Sequence, residues 1–192
     1  MKLILASTSP RRQKILSNIT KNFQIVAPEI NENKNLFSMP SNACKYYSKI
    51  KALAVSKKYK KDLVVGADTI VYIKKKIMYK PINRKEAFQQ LNYLSGKTHS
   101  VYTGVTFIID NENIMYSFFS KTYVTFYVLS KKQIMNYINK YDPLDKCGSY
   151  GIQDWSMIFV KSINGCYNNV LGFPLASFYK NALNFNINIT KF

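Results

Sequence analysis

The stretch Leu3-Ile4-Leu5-Ala6-Ser7-Thr8-Ser9-Pro10-Arg11-Arg12 decides how the rest of the chain is read. Its uninterrupted apolar run predicts a short buried strand over 2–6. Ser9 then reads as a helix N-cap and Pro10 as the first helical residue, with a helix to about Ser17 that buries Ile15 and Leu16. A strand feeding a tight polar turn and a helix is the opening of an α/β domain. Such a turn also offers backbone N–H groups and the positive end of a helix to an anion. Arg11 and Arg12 stand in the first helical turn, where the dipole disfavours cations by ~0.3–1 kcal/mol each. Guanidinium groups are bidentate partners for phosphate. The turn from Ser7 to Arg12 is therefore a polyphosphate-binding candidate, and a surface helix with two incidental arginines is the competing reading.

The alternation continues outward from this unit. Residues 23–27 read as a second strand ending at Pro28, followed by a polar loop over 29–33 and a helix opened by Pro40-Ser41 with Ala43, Tyr47, Ile50 and Val55 on its apolar side. Leu63-Val64-Val65 reads as a buried strand that stops at Gly66-Ala67-Asp68-Thr69, with a further strand over 70–73. Lys74-Lys75-Lys76 is placed as a hairpin turn although it lacks the usual Gly. An amphipathic helix is expected over 83–94, then two long strands at about 99–109 and 113–128, a helix over 131–140, and a Gly- and Pro-containing loop from Asp142 to Asp154. A strand over 157–163 and a helix over 174–184 complete the chain. The predicted fold is α/β, a mixed twisted sheet flanked by helices, with residues 1–192 as a single domain.

Composition sets the bounds. The 192 residues are 47% hydrophobic and 20% charged, which predicts a folded globular chain. The formal charge of +18 attracts polyanions. Runs such as Lys57-Lys58-Tyr59-Lys60-Lys61 also fit a Lys-rich solvated surface with no partner. Cys44, Cys147 and Cys166 form no CxxC pair and no metal spacing, which favours free thiols in a reducing compartment. No apolar run approaches the ~20 residues of a membrane span, and the first apolar run is too short for a signal-peptide core. The expected setting is soluble and cytoplasmic, with no membrane partner.

Asp68, read at the carboxyl end of a strand, sits where open α/β sheets bind ligands. It could hold a metal ion or activate a water, or simply cap a turn. Glu32, Lys51 and Lys80 are weak individually, since each reads equally as a surface residue. Gln153, in the Gly-rich loop, could hydrogen-bond a base or a phosphate. His99, the only histidine, reads either as a general base or as a satisfied core residue.

Taken together, these segments resemble the Maf family of nucleoside triphosphate pyrophosphatases. The resemblance rests on Leu5-Ala6-Ser7-Thr8-Ser9-Pro10-Arg11-Arg12, Lys51-Ala52, Gly66-Ala67-Asp68-Thr69 and Lys80-Pro81. It continues through Leu94-Ser95-Gly96-Lys97-Thr98-His99, Pro143-Leu144-Asp145-Lys146, Tyr150-Gly151-Ile152-Gln153 and Gly172-Phe173-Pro174-Leu175, in that order along nearly the whole chain. It implies two lobes with a nucleotide cleft between them, often as a homodimer. It also implies hydrolysis of a nucleoside triphosphate to the monophosphate plus pyrophosphate. Asp68-Thr69 with Thr98-His99 looks like the branch acting on dTTP, UTP and modified pyrimidine triphosphates. The family's site positions fall on Ser7, Arg11, Arg12, Lys51, Lys80 and Gln153 for substrate and phosphate binding. They fall on Asp68 and Glu32 for catalysis and for a divalent metal, Mg²⁺ or Mn²⁺. Four positions depart from the pattern: Tyr79 stands where Gly is usual, Asn31 where an acidic residue is usual, and Cys147 and Trp155 where smaller residues are usual. The alternative reading is a nucleic-acid-binding or cell-division (septum-inhibiting) regulator. The charge motivates it, and the absence of an aromatic-basic recognition motif weighs against nucleic acid as a partner.

Overall fold

The computed structural model describes residues 1–31 and 37–192, so Glu32 lies outside the described residues. Strand β1 (Leu3–Ala6) leads into helix α1 (Pro10–Leu16), as the opening stretch predicts. There follow β2 (Phe23–Ile25), α2 (Pro40–Ser56), β3 (Leu63–Ile73), β4 (Lys76–Met78) and α3 (Arg84–Leu94). The chain continues through β5 (Thr98–Ile109), β6 (Ile114–Phe126), α4 (Lys131–Lys140), β7 (Val160–Asn164), α5 (Tyr167–Leu171) and α6 (Leu175–Leu183). The described strands form one mixed sheet in the order β2-β1-β3-β5-β6-β7, with β4 also on β3. β1 pairs in parallel with β2 and β3, and the other pairings are antiparallel.

The sheet has an opening in it. One edge of β3 is paired with β5 from Val64 to Tyr72. The other edge carries β1 against Leu63–Gly66 and β4 against Val71–Ile73. Ala67 to Ile70 therefore have no strand beside them on that edge among the described residues. A groove forms there, beyond the carboxyl end of β1, where ligands of open α/β sheets bind.

Alternation along β3 assigns the faces. Gly66 and Asp68 share the face covered by α2. A Cβ on Gly66 would lie 2.3 Å from the Ser48 carbonyl oxygen, and one on Gly104 would lie 2.3 Å from that of Cys44. Two glycines on adjacent strands thus let the backbone of α2 rest directly on the sheet. On the opposite face the apolar side chains gather into two cores. One joins Leu5, Val65 and Phe107 with Leu16 of α1 and Phe178 of α6. The other joins Val71, Val101 and Phe126 with Leu91 of α3 and Ile134 of α4. Between them the cross-strand pair Thr69–Thr103 forms a polar seam, its hydroxyls 3.0 Å apart.

Several local expectations need correction. β3 does not stop at Gly66 but runs on to Ile73, because β5 pairs with it throughout and Gly66 serves the approach of α2 rather than a turn. Ser9 occupies the N-cap position without a side-chain cap bond; its own N–H donates to Ser7 Oγ at 3.2 Å. The expected strand over 157–163 begins instead as a 3-10 turn, Trp155–Phe159. The Asp154 carboxylate accepts there from Ser156 N and Oγ, and β7 starts only at Val160. α5 was not expected; it ends at Gly172, whose φ of 109° is a left-handed cap. The lysine hairpin does form, as a two-residue turn with Lys74 and Lys75 both at positive φ. α4 has the predicted bounds and is opened by a Ser130–Gln133 capping box.

Candidate active site

The groove beside β3 widens into a cleft whose polar and charged side chains come from five regions of the chain. The first turn of α1 supplies Arg11 and Arg12, α2 supplies Lys51, and β3 supplies Asp68 and Thr69. The segment after β4 supplies Tyr79 and Lys80, and the loop between α4 and β7 supplies Asp145, Lys146, Cys147 and Gln153. Ser7 lines an adjoining recess that shares Arg11, Arg12, Lys51, Lys80 and Asp145 with the cleft. Six of the residues expected for the site, Arg11, Arg12, Lys51, Asp68, Lys80 and Gln153, thus share one cavity. Ser7 borders it, and Glu32 lies outside the described residues.

Lys51 and Asp68 form its deepest charged pair. Lys51 Nζ donates to Asp68 Oδ1 at 2.6 Å, with only 12% and 14% of the two side chains exposed. The close seating of α2 through Gly66 and Gly104 brings Lys51 over Asp68, which is itself the register partner of Gly104. Sequence reading gave these two residues separate roles; the fold joins them.

Arg12 is a hub rather than an outstretched arm. Its Nε donates to the Gly172 carbonyl at 2.9 Å, Nη1 to Ser7 Oγ and Nη2 to Thr69 Oγ1, each at 3.2 Å. It ties the first turn to β3 and to the end of α5. Thr69 extends this network into the seam through Thr103, which donates to the Asn169 carbonyl at 2.9 Å. Arg11 reaches the other way. Its Nη1 donates to Asp145 Oδ2 at 2.7 Å and its Nη2 to the Asp145 carbonyl at 3.2 Å. Lys146 Nζ donates to the other Asp145 oxygen at 2.6 Å. Burial works against ionisation of Asp145, but the hydrogen bonds from Lys146 and Arg11 prevail and hold it below the usual carboxylate range.

Cys147 donates from Sγ to the carbonyl of Thr69 at 3.0 Å, meeting the β3 edge that no strand covers among the described residues. Burial, with the negative charge of Asp68, pushes its thiol up to about 11, so it remains a neutral donor at neutral pH. Lys80 and Gln153 are exposed at the rim. His99 is a core residue. It is 2% exposed, its Nε2 lies 2.8 Å from the Tyr150 hydroxyl, and burial pulls its pKa down to about 3. Thr98 points to solvent on β5 and bonds Thr125. Asp145, Lys146 and Thr69 were missed as site residues. The signal for the first two was the carboxylate-bearing loop over 142–154, and for Thr69 its place beside Asp68.

Among the described residues that line the cleft, five cations (Arg11, Arg12, Lys51, Lys80 and Lys146) face two carboxylates, Asp68 and Asp145. A surplus of fixed positive charge in a recess is suited to a polyphosphate. No group of three or more His, Cys, Asp or Glu side chains arranged to hold a metal occurs among the described residues. No helix of the described residues is long and apolar enough to cross a membrane.

Comparison with known proteins places this geometry in context. The family model described as Maf-like protein matches residues 2–184. A relative from Bacillus cereus (strain B4264), named dTTP/UTP pyrophosphatase, is 42% identical over 189 residues, covering 98% of this chain and 98% of its own. One from Bacillus anthracis with the same name is 41% identical over the same shares. Among solved structures, the Staphylococcus aureus Ham1 protein aligns with a TM-score of 0.41 at 9% identity, over 66% of this chain and 72% of its own.

Proposed function

The chain belongs to the Maf family, and from that premise we propose that it hydrolyses dTTP, UTP and modified pyrimidine nucleoside triphosphates to the monophosphate and pyrophosphate. One observation carries the reading: a half-buried carboxylate paired with a lysine faces a cleft whose other charges are dominated by cations. Phosphoryl transfer needs positioning and charge stabilisation more than covalent help from the protein.

In this reading Arg11, Lys51, Lys80 and Lys146 grip the triphosphate, which carries about four negative charges at neutral pH. Arg12 and Ser7 set the shape of the first turn, and Arg12 binds a phosphate oxygen from within its network. Asp68 orients the attacking water and accepts its proton. The water oxygen bonds to the α-phosphorus, the bond from that phosphorus to the bridging oxygen breaks, and pyrophosphate departs with the electron pair. Lys51, 2.6 Å from Asp68, holds the carboxylate in orientation. Gln153 contacts the nucleotide from the rim.

Mg²⁺ or Mn²⁺ is the proposed cofactor. The donor chemistry fits. Mg²⁺ is commonly held through one or two carboxylates plus substrate phosphates rather than by an all-protein cage, and Asp68 supplies a hard oxygen beside the phosphate-binding cations. Asp68 would hold the ion together with Glu32. When bound, it supplies charge neutralisation on the phosphate oxygens.

The test is a panel of canonical and modified triphosphates assayed for pyrophosphate against single phosphate, repeated in ¹⁸O-labelled water. Label in the monophosphate is expected, and label in pyrophosphate would reject attack at the α-phosphorus. Asp68→Asn should lower turnover by about 10²–10⁴-fold, the range for loss of a general base, while circular dichroism stays unchanged. Full activity in that variant would reject the assignment.

A further inference from the structure

Gln90 lies on the buried side of α3, 8% exposed, in line with Ala87, Leu91 and Leu94. An amide among leucines is costly unless its hydrogen bonds are made. Besides Glu86 on its own helix, Gln90 makes them to two segments that both reach the cleft. Its Nε2 donates to the carbonyl of Tyr79 at 3.2 Å and to Glu86 Oε1 at 3.3 Å. Its Oε1 accepts from Ser149 Oγ at 2.7 Å. Tyr79 immediately precedes Lys80, where the following Pro81 disfavours a helical backbone. Ser149 is fully buried in the loop that carries Asp145, Lys146 and Gln153.

The loop needs such a hold. Gly148 and Ser149 follow one another at positive φ, 70° and 65°. The glycine has its reason, since a Cβ there would come within 3.0 Å of Val71. Ser149 is a non-glycine residue in the left-handed region, and that conformation persists only where its surroundings over-determine it. The bond from its hydroxyl to Gln90 is the contact that does so from α3. Cys147, two residues earlier, is anchored to the other side of the groove at Thr69.

We propose that Gln90 is a positioning residue that joins the Lys80 segment to the Asp145–Gln153 loop through Tyr79 and Ser149, so that both reach the substrate as one unit. The claim rests on the pyrophosphatase reading for its kinetic consequence only; the mechanical coupling stands apart from it. Three variants test it: Gln90→Leu, Ser149→Ala and the double change. Each single variant should raise KM for dTTP or UTP by about tenfold, the effect of one buried hydrogen-bond partner left unsatisfied, with kcat changed less than threefold. The double variant should be no worse than the worse single, because one linkage is being cut twice. Hydrogen exchange supplies a readout independent of activity. Ser149→Ala should speed exchange at residues 79–81, across the linkage, and Gln90→Leu should speed it at 145–153, while the interior of α3 stays protected.

Three results would overturn the proposal: KM unchanged with loss confined to the maximal rate, additive singles, or faster exchange only beside the substituted residue. Should Gln90→Leu fail to fold, Ser149→Ala cuts the same bond from the loop side and decides alone. If the wild-type chain hydrolyses neither triphosphate, the pyrophosphatase reading falls, and the exchange data still decide the coupling.

Discussion

Asp68 and Asp145 are the two carboxylates that line the cleft among the described residues, and each belongs to an ion pair. Asp68 sits within β3, and its partner Lys51 is delivered by a helix that two glycines allow to touch the sheet. Asp145 sits on a loop, 47% exposed, and is kept in place by side chains arriving from α1 and from its own neighbour. The first wall is set by backbone packing. The second is set by hydrogen bonds: Arg11 to Asp145, Cys147 to Thr69, Ser149 to Gln90, and His99 with Tyr150. A wall of the first kind resists small changes until it fails as a whole. One of the second kind can loosen contact by contact.

The sharpest way to break this contrast is Gly66→Ala. The added methyl would enter at 2.3 Å from Ser48 O and 2.7 Å from Ala52 N, both backbone atoms that cannot swing aside. Overpacking of this kind costs about 1–3 kcal/mol and occasionally more, and the upper end is expected here. α2 must lift, and Lys51 moves with it from Asp68. Chemical denaturation should show a loss near 3 kcal/mol, and activity at temperatures where the variant remains folded should also fall. A variant of wild-type stability would mean that α2 is not fixed by this contact.

The same contrast explains what the sequence made legible. Periodicity and caps found β1, α1 and α4 because each follows from neighbouring residues: the apolar run 3–6, Pro10 at the first helical position, and Ser130 with Gln133. Arg11, Arg12, Lys51, Asp68, Lys80 and Gln153 could be nominated by residue type and by family resemblance, and the fold gathers them at one cleft. The continuity of β3 was hidden because a glycine there reads as a break, whereas its role depends on a helix ten or more residues away. The loop wall was least visible. Its ties join residues 59, 78 and 134 positions apart through single side chains, which leave no periodic trace.

The His99–Tyr150 tie gives the loop wall a pH signature. His99 is neutral in the folded protein down to about pH 3, because burial disfavours its charged form, whereas in the unfolded chain it titrates near 6.5. Below 6.5 the unfolded state therefore binds a proton that the folded state does not. Stability is fully present above that pH and falls at about 1.4 kcal/mol per unit as pH drops towards 3. Urea denaturation at pH 7.5 and 5.5 should differ by roughly 1.4 kcal/mol from this group. Because the chain has a single histidine, His99→Gln should flatten the dependence in that window. An unchanged slope in the variant would show that His99 is accessible to protons in the folded state.

The smallest effect belongs to Asp145, where the exposed pair contributes less to stability than its short distances suggest. An ion pair as open to solvent as this one is worth under about 1 kcal/mol. Its pKa is lowered, so whatever it contributes is present above the ordinary carboxylate range and lost as pH falls through its folded value, below about 4. Asp145→Asn should therefore leave the unfolding midpoint almost unchanged at neutral pH, since the Asp145 carbonyl still accepts from Arg11 Nη2. Its kinetic effect has the opposite sign to that of loosening the loop. Asp145 competes with phosphate for Arg11 and Lys146, so removing its charge should lower KM, by up to about fivefold for 1 kcal/mol. The gain should shrink at high salt, where exposed charges are screened. A rise in KM would instead mean that the carboxylate positions the loop, and the two walls of the cleft would then be more alike than their construction implies.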